Sequence, residues 1–126
     1  MLYDSTFLIH LAGHRGRANR QAAQRFLVAH GDEPVYTSRV AWAEFAEGCA
    51  NQDEVLRLLE PFAVVEISEH VAWTASRIAR DLDRRGLPIG DNDIWIAATA
   101  LAYRLPLVSR NARHFARVPG LNIEEY

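Results

Sequence analysis

The chain contains no lysine, and all 14 of its cationic side chains are arginine. That absence excludes chemistry built on a lysine amine, including Schiff-base catalysis and the Walker-type phosphate loop. Cysteine is nearly missing as well, Cys49 being the only one. No disulfide can form within the chain, and a reducing, cytoplasmic setting is expected. The opening residues do not combine a charged n-region with a long apolar stretch. No apolar run approaches the ~20 residues that a membrane span needs. A strong excess of charge is absent too. A formal net charge of -2 argues against whole-surface attraction to nucleic acid and leaves room only for a local basic track. Repeats, linkers and low-complexity segments are not found. The 126 residues, 49% of them hydrophobic, are therefore expected to form a single domain over residues 1–126, burying about 68% of the unfolded surface around one core.

What is present is an alternation of short apolar runs and amphipathic stretches. Residues 2–4 read as a buried strand and 6–11 as the start of a helix, which Gly13-His14-Arg15-Gly16-Arg17 interrupts. Within 18–29, Ala22, Ala23, Phe26 and Leu27 fall on one helical face. Residues 35–37 are strand-like, and Ser38 is placed to cap a helix running to Glu47. Asn51 and Glu54 have the spacing of a capping pair. A strand over 62–67 precedes a long helix capped by Ser68 and ending near Gly86. After a loop at 87–90, Asp91 or Asn92 is placed to cap an apolar helix through Tyr103. A strand over 105–108, a helical turn over 111–116 and a last strand over 121–124 complete the pattern. Strands alternating with helices predict an α/β fold, a three-layer α/β/α sandwich with a mostly parallel central sheet.

Four polar positions lie at the ends of these elements: Asp4, Glu44, Asp93, and Ser109 with Asn111. In parallel α/β sheets, sites form beyond the carboxyl ends of the strands, where Asp4 and Ser109 both lie. Asp93 starts a stripe containing Ile96, Ala97, Ala100 and Leu101, so its carboxylate belongs to the core-facing side of its helix. Glu44 sits on a small or apolar face with Ala41, Phe45 and Gly48, and a charge there needs a partner. Gathered carboxylates repel unless a cation neutralises them, and all-oxygen ligands suit Mg²⁺ or Mn²⁺. Such an ion supports phosphodiester hydrolysis. Structural roles remain open beside this reading: Asp93 and Asp91 as helix caps, and Glu44 as a buried acid paired with an arginine.

In these residues the chain resembles PIN domains, and among them the VapC-type ribonuclease toxins of type II toxin-antitoxin systems. The resemblance runs through the opening from Leu2 to Ile9, the Glu44 helix ending at Gly48, the stretch from Ile89 through Asp93 to Ala98, and the ending from Leu107 through Ser109 and Asn111 to Leu121. It implies a PIN fold, with Asp4 and Asp93 binding Mg²⁺ or Mn²⁺ and Asp4, Glu44 and Asp93 as the catalytic acids. Ser109 and Asn111 are supporting polar groups at positions where the family often has threonine and asparagine or aspartate, and Asp91 is a third. The implied activity is an endoribonuclease that hydrolyses RNA with metal-activated water. A cognate antitoxin is the implied partner, in a homodimer or a toxin-antitoxin hetero-oligomer, away from membranes.

Arg110 and Arg113, followed by His114 and Arg117, are expected to track an RNA backbone. Arg15, Arg17 and Arg20 form a second candidate track. The five histidines show no metal-ligand spacing, and Trp42, Trp73 and Trp95 are expected to serve packing or subunit contacts. Two other functions stand beside this one. Asp4-Ser5-Thr6 is faintly similar to the nucleophile loop of haloacid-dehalogenase-like phosphatases, but Thr6 stands where that family has its second aspartate. The missing lysine counts against those phosphatases and against receiver domains. A non-catalytic PIN-like scaffold that binds RNA or protein is the alternative outside the enzymes.

Overall fold

Every strand is two or three residues long and at least one helix separates each strand from the next, so the strands pair through parallel crossovers rather than hairpins. The computed structural model describes all residues 1–126. The order is β1 (Leu2–Tyr3), α1 (Ser5–Ala12), α2 (Arg17–Ala29), β2 (Tyr36–Ser38), α3 (Arg39–Glu47), α4 (Gln52–Leu59), β3 (Ala63–Val65), α5 (Glu69–Arg85), α6 (Asp91–Ala102), β4 (Leu107–Val108), α7 (Ala112–Phe115) and β5 (Ile123–Glu124). The sheet runs β3-β2-β1-β4-β5 and every pairing in it is parallel, where sequence predicted a mostly parallel sheet. Helices flank it in a three-layer α/β/α arrangement.

Two features of this topology position the site. First, β1 lies at the centre, with Tyr3 in register with Thr37 of β2 on one side and Val108 of β4 on the other. Second, the chain builds outward from β1 through β2 and β3 and then returns to add β4 and β5 beyond the opposite edge. The order thus reverses between β1 and β4, where a crevice opens at the carboxyl ends of open α/β sheets. Strands covered on both faces should be apolar throughout. Leu2, Tyr3, Leu107 and Val108 are all fully buried. Phe7 packs its ring 4.5 Å from that of Tyr3, tying α1 to the central strand. Helix α6 buries Ile96, Ala97, Ala98, Thr99 and Ala100, and its small side chains let α5 lie close along it.

The helix starts follow local chemistry. Asp4, Ser38, Asn51 and Ser68 each accept a hydrogen bond from the backbone N–H three residues on, satisfying donors that the helix leaves open. The expected cap of α6 by Asp91 or Asn92 is not formed. Gly90 holds the cap position without a side-chain bond, and Asp91 opens the first turn. There its charge still complements the positive end of the helix dipole. At the far end of α5, Gly86 adopts φ 65°, a left-handed cap that a residue with a Cβ takes only with strain. Because the Ser68 cap is a single local bond on a long helix, Ser68→Ala is expected to lower stability by about 1 kcal/mol. Urea unfolding checks this, and an unchanged midpoint would mean the cap contributes nothing.

Candidate active site

Tyr3 and Val108 are paired, so the next residues along β1 and β4, Asp4 and Ser109, emerge side by side at the point where the strand order reverses. Asp4 is 3% exposed. Its Oδ1 accepts from the Phe7 N–H at 2.8 Å and its Oδ2 from the Ser109 hydroxyl at 2.5 Å. The Ser109 oxygen in turn accepts from the Asn111 N–H at 2.9 Å. That tight turn aims the Asn111 side chain at α6, where its amide lies 3.4 Å from Asp93 Oδ2. The same amide is 3.1 Å from His114 Nδ1. Asp93, in the first turn of α6, is partly buried as its apolar stripe predicts.

Glu44 reaches the group from α3. Its Oε1 accepts from the Asn92 amide at 3.0 Å, while Oε2 is buried with no hydrogen-bond partner. None of the ion pairs in the structure includes Glu44. The arginine partner that a structural reading would require is therefore not there, and a buried orphan oxygen of this kind calls for an explanation. Glu44, Gly90, Asp91, Asn92 and Asp93 line an open depression of about 360 Å³ without an apolar side chain.

The carboxylates sense one another. Burial pushes the Asp4 pKa up to about 6, against the pull of the Ser109 and Phe7 hydrogen bonds, and the charges of Asp93 and Glu44 add to the rise. Asp93 is also raised, first by burial and then by Glu44, with nearby His114 opposing. Desolvation and like charge act in the same direction here, which is the situation a cation relieves. The structure contains no group of three His, Cys, Asp or Glu side chains placed to hold a metal ion between them. These side chains do not form a closed cage of His, Cys, Asp and Glu ligands. The donors fit instead an ion such as Mg²⁺, which takes one or two carboxylates and keeps several waters.

The other expected residues are divided. Asp91 is exposed at the rim of the depression. Arg110, expected to track RNA, is exposed and its guanidinium also contacts the protein. It donates to Asn19 Oδ1 at 2.6 Å and to the Tyr126 carbonyl at 3.0 Å and stacks 4.6 Å above the Tyr126 ring. Arg117 likewise donates to the Pro88 carbonyl. Arg113, two residues after Asn111, is exposed, and Arg15, Arg17 and Arg20, before and in the first turn of α2, are exposed as well. Two neighbours escaped sequence reasoning. The sequence signal of Asn92 is that of a helix cap, and that of His114 is a place in a basic track. The i,i+3 spacing of Asn111 and His114 across a helical turn was the available signal.

Comparison with known proteins places this architecture. The sequence profile of the PIN domain family matches residues 1–121. A ribonuclease VapC1 from Methanocaldococcus jannaschii is 35% identical over 106 residues, covering 82% of this chain and 76% of that protein. The 2.2 Å structure of VapBC-1 from nontypeable Haemophilus influenzae contains a chain 28% identical, with a TM-score of 0.76 over 99% of this chain and 98% of that one. VapBC2 from Rickettsia felis, solved with a DNA fragment from its promoter, gives a TM-score of 0.82 over 100% and 99% of the two chains at 21% identity. At that identity the likeness speaks to the fold.

Proposed function

The chain belongs to the PIN domain family, and from the acidic group at its β1/β4 crevice we propose that it is a Mg²⁺- or Mn²⁺-dependent endoribonuclease, the toxin of a toxin-antitoxin pair. The observation that carries the chemistry is the convergence of Asp4, Asp93 and Glu44 from three separate elements, with one Glu44 oxygen buried and unpartnered. The relative named ribonuclease supports the substrate, and a neighbour solved as a toxin-antitoxin complex from Klebsiella pneumoniae, 28% identical with a TM-score of 0.72, supports the partner. An antitoxin protein and assembly as a homodimer or hetero-oligomer belong to this reading.

Asp4 and Asp93 would hold the cation, the first locked by two hydrogen bonds and the second supplied from a helix start. When bound, the ion supplies a water of lowered pKa and a countercharge for the phosphate. Glu44, with its free oxygen, is placed to accept a proton or orient that water. Ser109 holds the Asp4 carboxylate in one rotamer and fixes the turn that carries Asn111. Arg113, exposed and without a side-chain hydrogen bond or ion pair, offers its guanidinium to a phosphate oxygen.

The deciding experiment incubates the isolated protein with total bacterial RNA and with purified tRNA, in Mg²⁺, in Mn²⁺ and in chelator. Discrete fragments that require both a cation and Asp93 are expected. Absence of cleavage in every condition, with RNA binding indifferent to metal and to Asp93→Asn, would instead support the non-catalytic scaffold. For Arg113→Ala the expected outcome is weaker RNA binding with the salt dependence of log Kd reduced by about 0.7, one single-strand phosphate contact. An unchanged salt slope would remove Arg113 from the interface.

A further inference from the structure

We infer that Asn92 is a positioning residue for Glu44, its side-chain amide holding one carboxylate oxygen so that the other keeps a fixed place at the acidic depression. The inference rests on the reading of Glu44 as the group that accepts a proton or orients water, and adds what aims it. Asn92 Nδ2 donates to Glu44 Oε1 at 3.0 Å, joining α6 to α3 across 48 residues of sequence. The orientation of that amide follows from its partner, since an ionised carboxylate only accepts and the N–H end must face it. Asn92 and Asp93 are successive residues in the first turn of α6, about 100° apart around its axis. One therefore reaches Glu44 while the other meets Asn111. The same helix start thus sets the places of both acids around one depression.

Glu44 needs such a contact. Its backbone is fixed by Ala41 and Phe45, both fully buried on α3. Several side-chain torsions still separate that backbone from the carboxylate, and their freedom must be removed for the group to be preorganised. Oε2 has no partner, so the bond from Asn92 to Oε1 is the restraint. The neutrality of the donor matters too. Elsewhere in the chain carboxylates meet arginine, as Glu66 meets Arg39 and Asp81 meets Arg85. A guanidinium would offset the charge of Glu44 and offer a second N–H to its other oxygen. An amide satisfies one oxygen and leaves the charge and the second oxygen for a reacting water. Asn92 is exposed, so replacing it leaves the core untouched.

Single-turnover cleavage of total bacterial RNA at rising protein concentration compares wild type with Asn92→Ala, Asn92→Asp and Glu44→Ala. Both Asn92 variants are expected to lower the maximal rate of fragment release by about tenfold to 10²-fold, with the half-saturating protein concentration unchanged. Aspartate keeps the shape of asparagine and loses the donor, so a packing role would spare that variant. In metal-free wild type the side-chain amide resonances of Asn92 are expected to shift on Glu44→Ala, which reads the contact without any cleavage. A wild-type rate in Asn92→Asp, a raised half-saturating concentration at unchanged rate, or Asn92 resonances untouched by Glu44→Ala overturns the positioning role and leaves Glu44 standing. Wild-type cleavage by Glu44→Ala, or no cleavage by wild type in Mg²⁺ or Mn²⁺, overturns the reading of the site and this inference together.

Discussion

Replacing Asp93 by asparagine is expected to lower RNA cleavage by about 10³-fold or more while the protein stays folded. Removing one preorganised electrostatic group from a reacting centre commonly costs about 10²–10³ in rate, and here the same change also deletes the charge of one of the two carboxylates, Asp4 and Asp93, proposed to hold the cation. Folding should not suffer. Burial and the Glu44 charge both disfavour the ionised Asp93 carboxylate, so a neutral isostere relieves repulsion. An asparagine oxygen still accepts from the Asn111 amide. Single-turnover cleavage and urea unfolding of the same preparation check the two halves. Full activity with an intact fold would remove Asp93 from the chemistry. Activity lost together with the fold would mean the residue is structural.

The second large effect concerns Asp4 and links stability to pH. Its carboxyl is raised from 3.8 to about 6 in the folded state, chiefly by burial. The folded protein therefore holds a proton between about pH 4 and 6 that the unfolded chain has released. For such a group the stabilisation is complete below the unfolded pKa and is lost as pH rises through the folded one. A shift of about two units corresponds to roughly 3 kcal/mol at pH 7. In metal-free buffer, wild type is expected to lose stability relative to Asp4→Asn from pH 4 to 6, the variant being the more stable at pH 7. Exposed Glu54 and Glu66, whose pKa values are lowered by hydrogen bonds, act in the opposite direction in both proteins and cancel in the comparison.

A cation reverses the sign of this effect because it binds the ionised form. At a Mn²⁺ concentration about 100 times Kd, wild type at pH 7 gains about 2.7 kcal/mol. Chelator removes the gain, and Asp4→Asn does not show it. Denaturant titrations at pH 4, 5, 6 and 7 with and without the ion measure all of this. Parallel pH curves for the two proteins would show that Asp4 titrates normally. Equal stabilisation of both by Mn²⁺ would place the ion elsewhere.

Much of the local structure was legible because its causes lie within a few residues. Ser38, Asn51 and Ser68 cap the helices assigned to them, since a side-chain oxygen and an N–H three residues on meet by local geometry alone. The apolar stripe of α6 correctly turned Asp93 inward. The same local rules misassigned the start of that helix. An aspartate and an asparagine in sequence look like a cap, yet Gly90 takes the position and Asn92 spends its amide on Glu44.

The sequence by itself determined the types of the elements, which faces they bury, and that carboxylates would stand at their ends. The tertiary structure alone decided who meets whom. Asp4 touches Ser109, 105 residues away, because β4 pairs with β1, and strand order is set by the packing of the whole sheet. Glu44 found an asparagine rather than an arginine, and Arg110 found Asn19 and the Tyr126 carbonyl at the exposed surface. Periodicity says which way a side chain points and is silent about what lies opposite. Contacts across the crevice come from long-range burial of apolar surface, whose energy depends on area and fit and not on any spacing along the chain.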